Sequence, residues 1–330
     1  MDNTLQRGLN WLRVCQSADG SWPDFLVAPD VEGNEWPTGY ICALLGDLPT
    51  PLEPPWSSML TLAWAFLRNT SRLSAGWGFS SATSIDADST AWCLLSLLRS
   101  KEAKAEWFAA ERKELREHQH AGTGGFCTYR RQNAGPFPED SGYYAPTSCV
   151  TASVVLALHE LGCADDMPLI RSGLAYLSAT RNDSGAWDSP WWDSEIYSTA
   201  TVVRLFVVLG YELQALSVTR TWLENLQDKN GSWRADNLKR PDPFLTSLAI
   251  RTLLDLGAPP GCSSVKRGRM WLLEMQCADG SWDAPPILRL PSPHKPWVRG
   301  DIYDGIVVAG HRRTLATASI IATLARFAQT

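Results

Sequence analysis

The sequence predicts an all-α fold, an (α/α)6 double-ringed barrel of six helix–turn–helix repeats in which residues 1–330 make one domain. Two observations carry this. A Gly-rich turn ending in an aromatic residue recurs along the whole chain, as QSADGSW to Trp22, SAGWGF around Trp77, GTGGF to Phe126, RNDSGAW to Trp187, LQDKNGSW to Trp233 and MQCADGSW to Trp282. The gaps of 55, 49, 61, 46 and 49 residues mark a repeat of roughly fifty residues. The flanks of each turn also differ in polarity. A single repeat cannot bury its apolar face alone, so six of them argue for one closed ring.

Ahead of the turns, the segments Leu5–Cys15, Trp56–Leu67, Lys101–Gln119, Leu169–Ala179, Leu216–Leu226 and Val265–Met275 carry apolar residues at three-and-four spacing. After the turns, Pro37–Leu45, Asp88–Leu98, Ser148–Leu161, Ser198–Leu209, Pro243–Leu256 and Arg313–Phe327 are apolar nearly all round. Amphipathic helices face solvent on one side and wholly apolar ones are buried, so the first set forms an outer ring and the second an inner ring. Gly46, Gly162, Gly210 and Gly257 stand where a left-handed residue would end a helix. In the turns, Asp or Asn with Gly makes the bend, and Trp22, Trp187, Trp233 and Trp282 pack between repeats.

Composition excludes several functions. A net charge of −5 argues against nucleic-acid binding, because affinity for phosphate backbones comes from Lys and Arg clusters. Eight cysteines without a Cys-x-x-Cys pair suggest neither a disulfide framework nor a zinc ribbon, which fits a reducing cytoplasm. The N-terminal MDNTLQRGLNWLRVC lacks the long apolar segment of a signal peptide, and no stretch reaches the ~18 apolar residues of a spanning helix.

The chemistry concentrates in Asp86-Ala87-Asp88-Ser89-Thr90-Ala91, at the mouth of the second inner helix. Two carboxylates one residue apart among small and apolar neighbours are costly unless one stays protonated, and a neutral carboxylic acid in a dry pocket is a proton donor. The same residues are also ordinary helix N-caps, and both readings stand on the sequence. Barrel geometry turns Asp88 toward the central cavity, where a proton shared with Asp86 and hydrogen bonds from Ser89 and Ser153 would strengthen it. A carbocation formed there needs aromatic faces rather than nucleophiles. Phe79, Tyr143, Tyr144, Trp191, Trp192, Tyr197, Phe244, Trp297 and Tyr303 are the candidate lining, and His311 precedes the last inner helix, from where it could reach the cavity or a substrate carboxylate.

The phrase Q-x-x-x-G-x-W resembles the QW repeat of squalene–hopene and oxidosqualene cyclases, complete at Gln16–Trp22, Gln227–Trp233 and Gln276–Trp282. SAGWGF followed by DADSTAW resembles their GGWxF and DxDDTA segments. The resemblance implies a class II terpene cyclase of the single-barrel kind that cyclises prenylated aromatic substrates. Asp88 then stands at the family's proton donor and Asp86 at the first Asp. Phe79 stands at a position facing the cation, and Trp77 in the same GWGF phrase joins the substrate-binding set. Ser89 replaces the last Asp of the motif. Val150-Thr151-Ala152-Ser153 resembles the family's Val-Thr-Ala-His, with Ser153 where a supporting His stands. The resemblance further implies no redox cofactor or metal, with Mg2+ needed only if the substrate is a free prenyl diphosphate.

Other readings meet specific obstacles. No DDxxD occurs, since Asp165-Asp166 runs into Met-Pro-Leu, and no Asp-x-Cys pair or Cys/His cluster supports the zinc of protein prenyltransferases or lanthipeptide cyclases. A non-catalytic lipid- or protein-binding toroid is the alternative from another class. Tyr129-Arg130-Arg131 could hold a substrate carboxylate or phosphate. KEAKAEWFAAERKELREHQH reads as a solvated outer helix with Trp107 and Phe108 tucked inward, and SPHKPWVRGDIYDG as a lid or entrance element. Partners are expected to be a small prenylated molecule, a transient membrane contact and, at most, a weak homo-oligomer.

Overall fold

The computed structural model describes residues 3–72, 76–100, 103–131, 138–236, 239–297 and 305–328. Among these described residues, twelve α-helices alternate between two rings. The outer ring is α1 (Asn3–Cys15), α3 (Ser57–Thr70), α5 (Ala109–Glu117), α7 (Met167–Thr180), α9 (Ser217–Asn225) and α11 (Ser263–Glu274). The inner ring is α2 (Glu35–Gly46), α4 (Ala87–Leu98), α6 (Ser148–Leu161), α8 (Glu195–Leu209), α10 (Pro243–Asp255) and α12 (Thr314–Ala325). Each inner helix packs on the next, and α12 returns to α2, closing the barrel. Every residue of α6 from Ser148 to Leu158 is buried, whereas α11 buries only Val265, Gly268, Trp271 and Leu272, which is the polarity contrast that separates the rings.

One set of hydrogen bonds repeats around the ring and fixes each turn. The indole N–H of Trp22, Trp77, Trp187, Trp233 and Trp282 donates to the carbonyl ten residues earlier, on Leu12, Leu67, Leu177, Leu223 and Leu272. The backbone N–H of each turn aromatic, Phe126 included, donates to a threonine on the following inner helix: Thr38, Thr90, Thr151, Thr199, Thr246 and Thr317. The glutamines cross-link neighbours. Gln16 and Gln227 donate to their own turn glycine and to Met59 and Ser264 of the next outer helix, and Gln276 reaches Thr4, so the last repeat is bonded to the first. Gly280 illustrates why the turn needs glycine: its φ is +95°, and a Cβ would lie 2.6 Å from the Arg7 carbonyl oxygen.

Three features differ from the sequence reading. Gly162, Gly210 and Gly257 are left-handed as expected, but Gly46 ends α2 in ordinary geometry; it is small because Arg99 packs where its Cβ would be, 2.7 Å from that position. The charged segment is not one helix over 101–119. A 3-10 turn, Ala105–Phe108, leads into the short α5, and Trp107 points outward, 58% exposed, while Phe108 is buried. Two antiparallel ribbons were not foreseen: β1 (Asp24–Ala28) with β2 (Val31–Gly33), and β3 (Pro286–Pro291) with β4 (Gly305–Ala309). β3 leads into the SPHKPW segment, which connects it to β4, and β1 touches β4 at the end of the barrel where the inner helices begin.

Candidate active site

The N-terminus of α4 separates the two carboxylates. Asp86 is the N-cap, with extended backbone (φ −136°, ψ 160°); its Oδ1 accepts from the Ser89 N–H at 2.8 Å and its Oδ2 from the Ser89 hydroxyl at 2.6 Å. It is 3% exposed, and burial pushes its carboxyl up to about 7 against the opposing bonds from Ser89. Capping fixes the first turn, so Asp88, two residues on, projects to the axis with part of its surface open to a chamber. The capping reading thus applies to Asp86, and Asp88 is the carboxylate left facing the chamber.

Asp88 has partners of its own. Ser153 Oγ on α6 lies 2.5 Å from Oδ1, and the Trp36 indole N–H on α2 donates to Oδ2 at 2.8 Å. Burial raises the Asp88 carboxyl above the usual carboxylate range, opposed by these two bonds. The Ser153 hydroxyl is also 3.1 Å from the Val150 carbonyl. A hydroxyl carries one proton, so it can donate to Val150 while Asp88 is neutral and turn toward Asp88 when the carboxylate forms. The shared-proton arrangement expected from the sequence is absent: Asp86 and Ser89 bond each other rather than Asp88.

The threonine register shows what surrounds the acid. Two residues before each of the six threonines stand Trp36, Asp88, Cys149, Tyr197, Phe244 and Leu315, and Asp88 is the only acid among them. The chamber of about 150 Å³ is walled chiefly by Trp36, Phe79, Tyr129, Tyr143, Trp191 and Trp192, with Val27, Leu288 and Leu290 from the ribbons. Beneath it Trp192 stacks on Tyr197 at 3.9 Å and tilts against Phe244 at 5.6 Å and Trp36 at 5.7 Å. Phe79 is positioned by Glu35: the buried carboxylate, paired to Arg72 at 3.0 Å, accepts the Gly78 N–H at 2.9 Å. At the mouth Tyr143 donates to the Pro291 carbonyl at 2.9 Å, Trp191 to Thr128 at 3.0 Å, and Trp297 meets Trp191 edge-on at 5.2 Å.

Of the expected lining, Phe79, Tyr143, Trp191 and Trp192 wall the chamber, Trp297 borders its mouth, and Tyr197 and Phe244 form the layer below. Trp77 does not belong to it. Its indole is 1% exposed and bonded to Leu67, the same packing as the other turn tryptophans. Tyr144 is buried in the 3-10 turn Gly142–Tyr144, off the chamber wall, because that turn directs its neighbour Tyr143 inward instead. His311 lies outside the cavity on the outer surface, its Nε2 2.8 Å from Glu32, since the residues before α12 run along the outside of the ribbon β1–β2. Arg130 is bound to Glu114 and Glu117 and is not offered to a ligand. Tyr303 lies outside the described residues. The reading missed Trp36, and it named Tyr129 only beside Arg130 and Arg131 as a possible anion site, not as chamber wall. The signal for Trp36 was present: it precedes Thr38 by the same two residues that separate Asp88 from Thr90. Among the described residues no three His, Cys, Asp or Glu side chains gather as a metal site.

The family model of the squalene–hopene cyclase C-terminal domain matches residues 64–306, about three-quarters of the chain. The chain belongs to the squalene–hopene cyclase family. It is 30% identical over 151 residues to the squalene–hopene cyclase of Bradyrhizobium diazoefficiens, covering 42% of this chain and 23% of that one. It is 25% identical over 295 residues to that of Zymomonas mobilis, covering 79% and 43%. The chain thus spans less than half the length of these family members. Solved structures share the fold over its whole length. The type II terpene cyclase MstE from Scytonema superposes with a TM-score of 0.82 at 23% identity, covering 99% of this chain and 98% of that one. A protein from Actinoplanes gives 0.81 at 24%, covering 99% of each. An MstE variant has been solved in complex with geranylgeranyl dihydroxybenzoate, its substrate (TM-score 0.82, 24% identity, covering 99% and 97%).

Proposed function

We propose that this chain is a protonation-initiated cyclase of prenylated aromatic molecules, with Asp88 as the general acid. One observation carries the reading: of the two acids at a chamber walled chiefly by aromatic and aliphatic side chains, Asp86 is buried and tied to Ser89, whereas Asp88 is partly open to it, with burial raising its carboxyl above the ordinary value. The Asp88 proton passes to the terminal carbon of an alkene, or to an epoxide oxygen, at the end of a farnesyl or geranylgeranyl chain. The tertiary cation is attacked by the next double bond, rings close in sequence, and a proton leaves at the far end. An alkene substrate is converted to an isomer of unchanged mass, so the reaction balances without redox cofactor or metal. The Trp36 N–H, which can only donate, and the Ser153 hydroxyl stabilise the carboxylate left behind. Phe79, Trp192 and Trp36 offer π faces to the migrating charge, each worth about 0.5–2 kcal/mol.

The aromatic head group is favoured by the family resemblance and by the geranylgeranyl dihydroxybenzoate complex of MstE. Among the described residues no helix is long and apolar enough to cross a membrane. Exposed Leu26 and Ile306 on the two ribbons beside the chamber support a transient membrane contact during substrate capture. The test is incubation with farnesyl and geranylgeranyl arenes, epoxides and diphosphates, with mass spectrometry and chromatography of the products. Wild type is expected to convert an arene and Asp88→Asn to fall at least a thousandfold. Turnover by Asp88→Asn at the parent rate refutes the general acid, and turnover of diphosphates alone refutes the substrate class.

A further inference from the structure

The barrel has a second axial opening, at the end opposite Asp88, where the inner helices finish. This pit of about 290 Å³ is lined by all six of them and floored by Tyr40 and Trp92. Four arginines converge there in a chain whose net charge is −5. Two are explained by their helix ends: Arg99 caps α4 and pairs with Asp47 and Glu160, and Arg326 caps α12 and pairs with Asp255 at 2.6 Å. The other two are not. Arg204 and Arg251 precede the last turns of α8 and α10, so they do not neutralise terminal carbonyls. Arg204 reaches only a shared Asp47 at 3.6 Å, and Arg251 has no carboxylate partner among the described residues. Its guanidinium lies beside the Tyr40 hydroxyl, and its Nη1 is buried with no acceptor in hydrogen-bond reach.

Arg251 thus brings a guanidinium with no carboxylate partner among the described residues to a pit whose own acids, Asp47 and Asp255, are already paired with Arg99 and Arg326. Arginine forks favour oxyanions, which two parallel N–H groups can hold at once. We infer that the pit is a binding site for a phosphate-type oxyanion, free or as the head group of a prenyl diphosphate, gripped by Arg251 and Arg204. The site is separate from the chamber of Asp88, with the Tyr40 ring, stacked on Trp36 at 5.5 Å, between them.

Isothermal titration of the full chain at low ionic strength with inorganic diphosphate and with geranyl diphosphate tests this. Saturable one-to-one binding is expected, weakened by added KCl, with Arg251→Gln lowering affinity at least tenfold. Arg204→Gln, on the half-exposed rim, is expected to lower it severalfold and serves where the Arg251 variant does not fold. Arg234→Gln, on the outer surface against Asp228, is expected to bind as wild type does. Equal affinity for the two probes assigns the site to the free anion; tighter binding of the geranyl ester assigns it to a prenyl diphosphate. Absence of saturable binding, or unchanged binding in both pit variants, overturns the inference. Asp88→Asn is expected to bind both probes undiminished, so this result is independent of the cyclase reading.

Discussion

Removing the Ser153 hydroxyl isolates the support of Asp88 from the acid itself. In Ser153→Ala the carboxylate formed on proton transfer loses the partner 2.5 Å from Oδ1 and keeps only the Trp36 N–H on Oδ2. A hydrogen bond to a charged group contributes about 1.5–3 kcal/mol. Part is offset, because Ser153 gives up its bond to the Val150 carbonyl when it turns to Asp88, at about 1 kcal/mol. The net loss of about 0.5–2 kcal/mol in the transition state lowers kcat roughly two- to thirtyfold. KM is expected to stay within twofold, since Ser153 is fully buried in α6 behind the chamber wall. The anion is destabilised relative to the neutral acid, so the pKa of Asp88 rises further and the alkaline limb of the kcat profile moves to higher pH. Folding is little affected, because alanine suits a helix interior. Initial rates across pH with a prenyl arene, alongside a thermal melt, measure all three. A kcat within twofold of wild type, or a change confined to KM, refutes this account of how Asp88 is held.

Two further perturbations address the same end of the barrel. Trp36→Phe keeps a ring against Tyr40 and Trp192 but deletes the donor to Asp88 Oδ2, and is expected to lower kcat roughly tenfold; unchanged kcat in a folded variant would assign Trp36 to packing alone. Asp242 caps α10 as Asp86 caps α4, but Leu245 stands where Ser89 would supply a hydroxyl, so its Oδ2 is buried without a partner. Burial pushes this carboxyl up to about 7, so the folded state holds its proton more tightly than the unfolded chain. Stability is then highest below about pH 4 and declines as pH rises toward 7, by an upper bound of about 4 kcal/mol for this group. Asp242→Asn, which cannot ionise, is expected to gain on wild type in urea melts between pH 5 and pH 8. Parallel curves would show that Asp242 does not carry the penalty.

The rings of the barrel were legible because each rests on a local pattern. Period-3.6 amphipathicity marks the outer helices, all-round apolarity the inner ones, and the Gly-aromatic turn the junction, and none of these needs long-range information. The ribbons were not legible. β1 and β2 are five and three residues long, and β3 and β4 pair across the thirteen residues 292–304. Short strands held by a partner that far away leave no periodicity of their own. Trp107 went astray for a related reason: the 3-10 turn resets the helical phase ahead of α5, so a spacing counted from Lys101 puts the wrong side outward.

At the site, the proposed acid was easier to read than the residues that hold it. Asp88 announces itself as a carboxylate among apolar neighbours, while its partners come from α2 and α6, 52 and 65 residues away in sequence. The repeat nevertheless encodes that geometry. Each threonine bonds the backbone of its turn aromatic, which locks the inner helix against the turn and makes the position two residues earlier equivalent in all six repeats. Once that register is fixed, Trp36 is the neighbour of Asp88 by construction, since α2 packs on α4. The same register places Phe244 where α10 would otherwise carry an acid like Asp88, behind a cap, Asp242, that matches Asp86. On the proposed function, a repeat whose caps are acidic twice but whose axial ring is acidic once confines proton donation to one point of the chamber, and leaves Trp36, Tyr197 and Phe244 of the axial ring to face a cation that moves away from it.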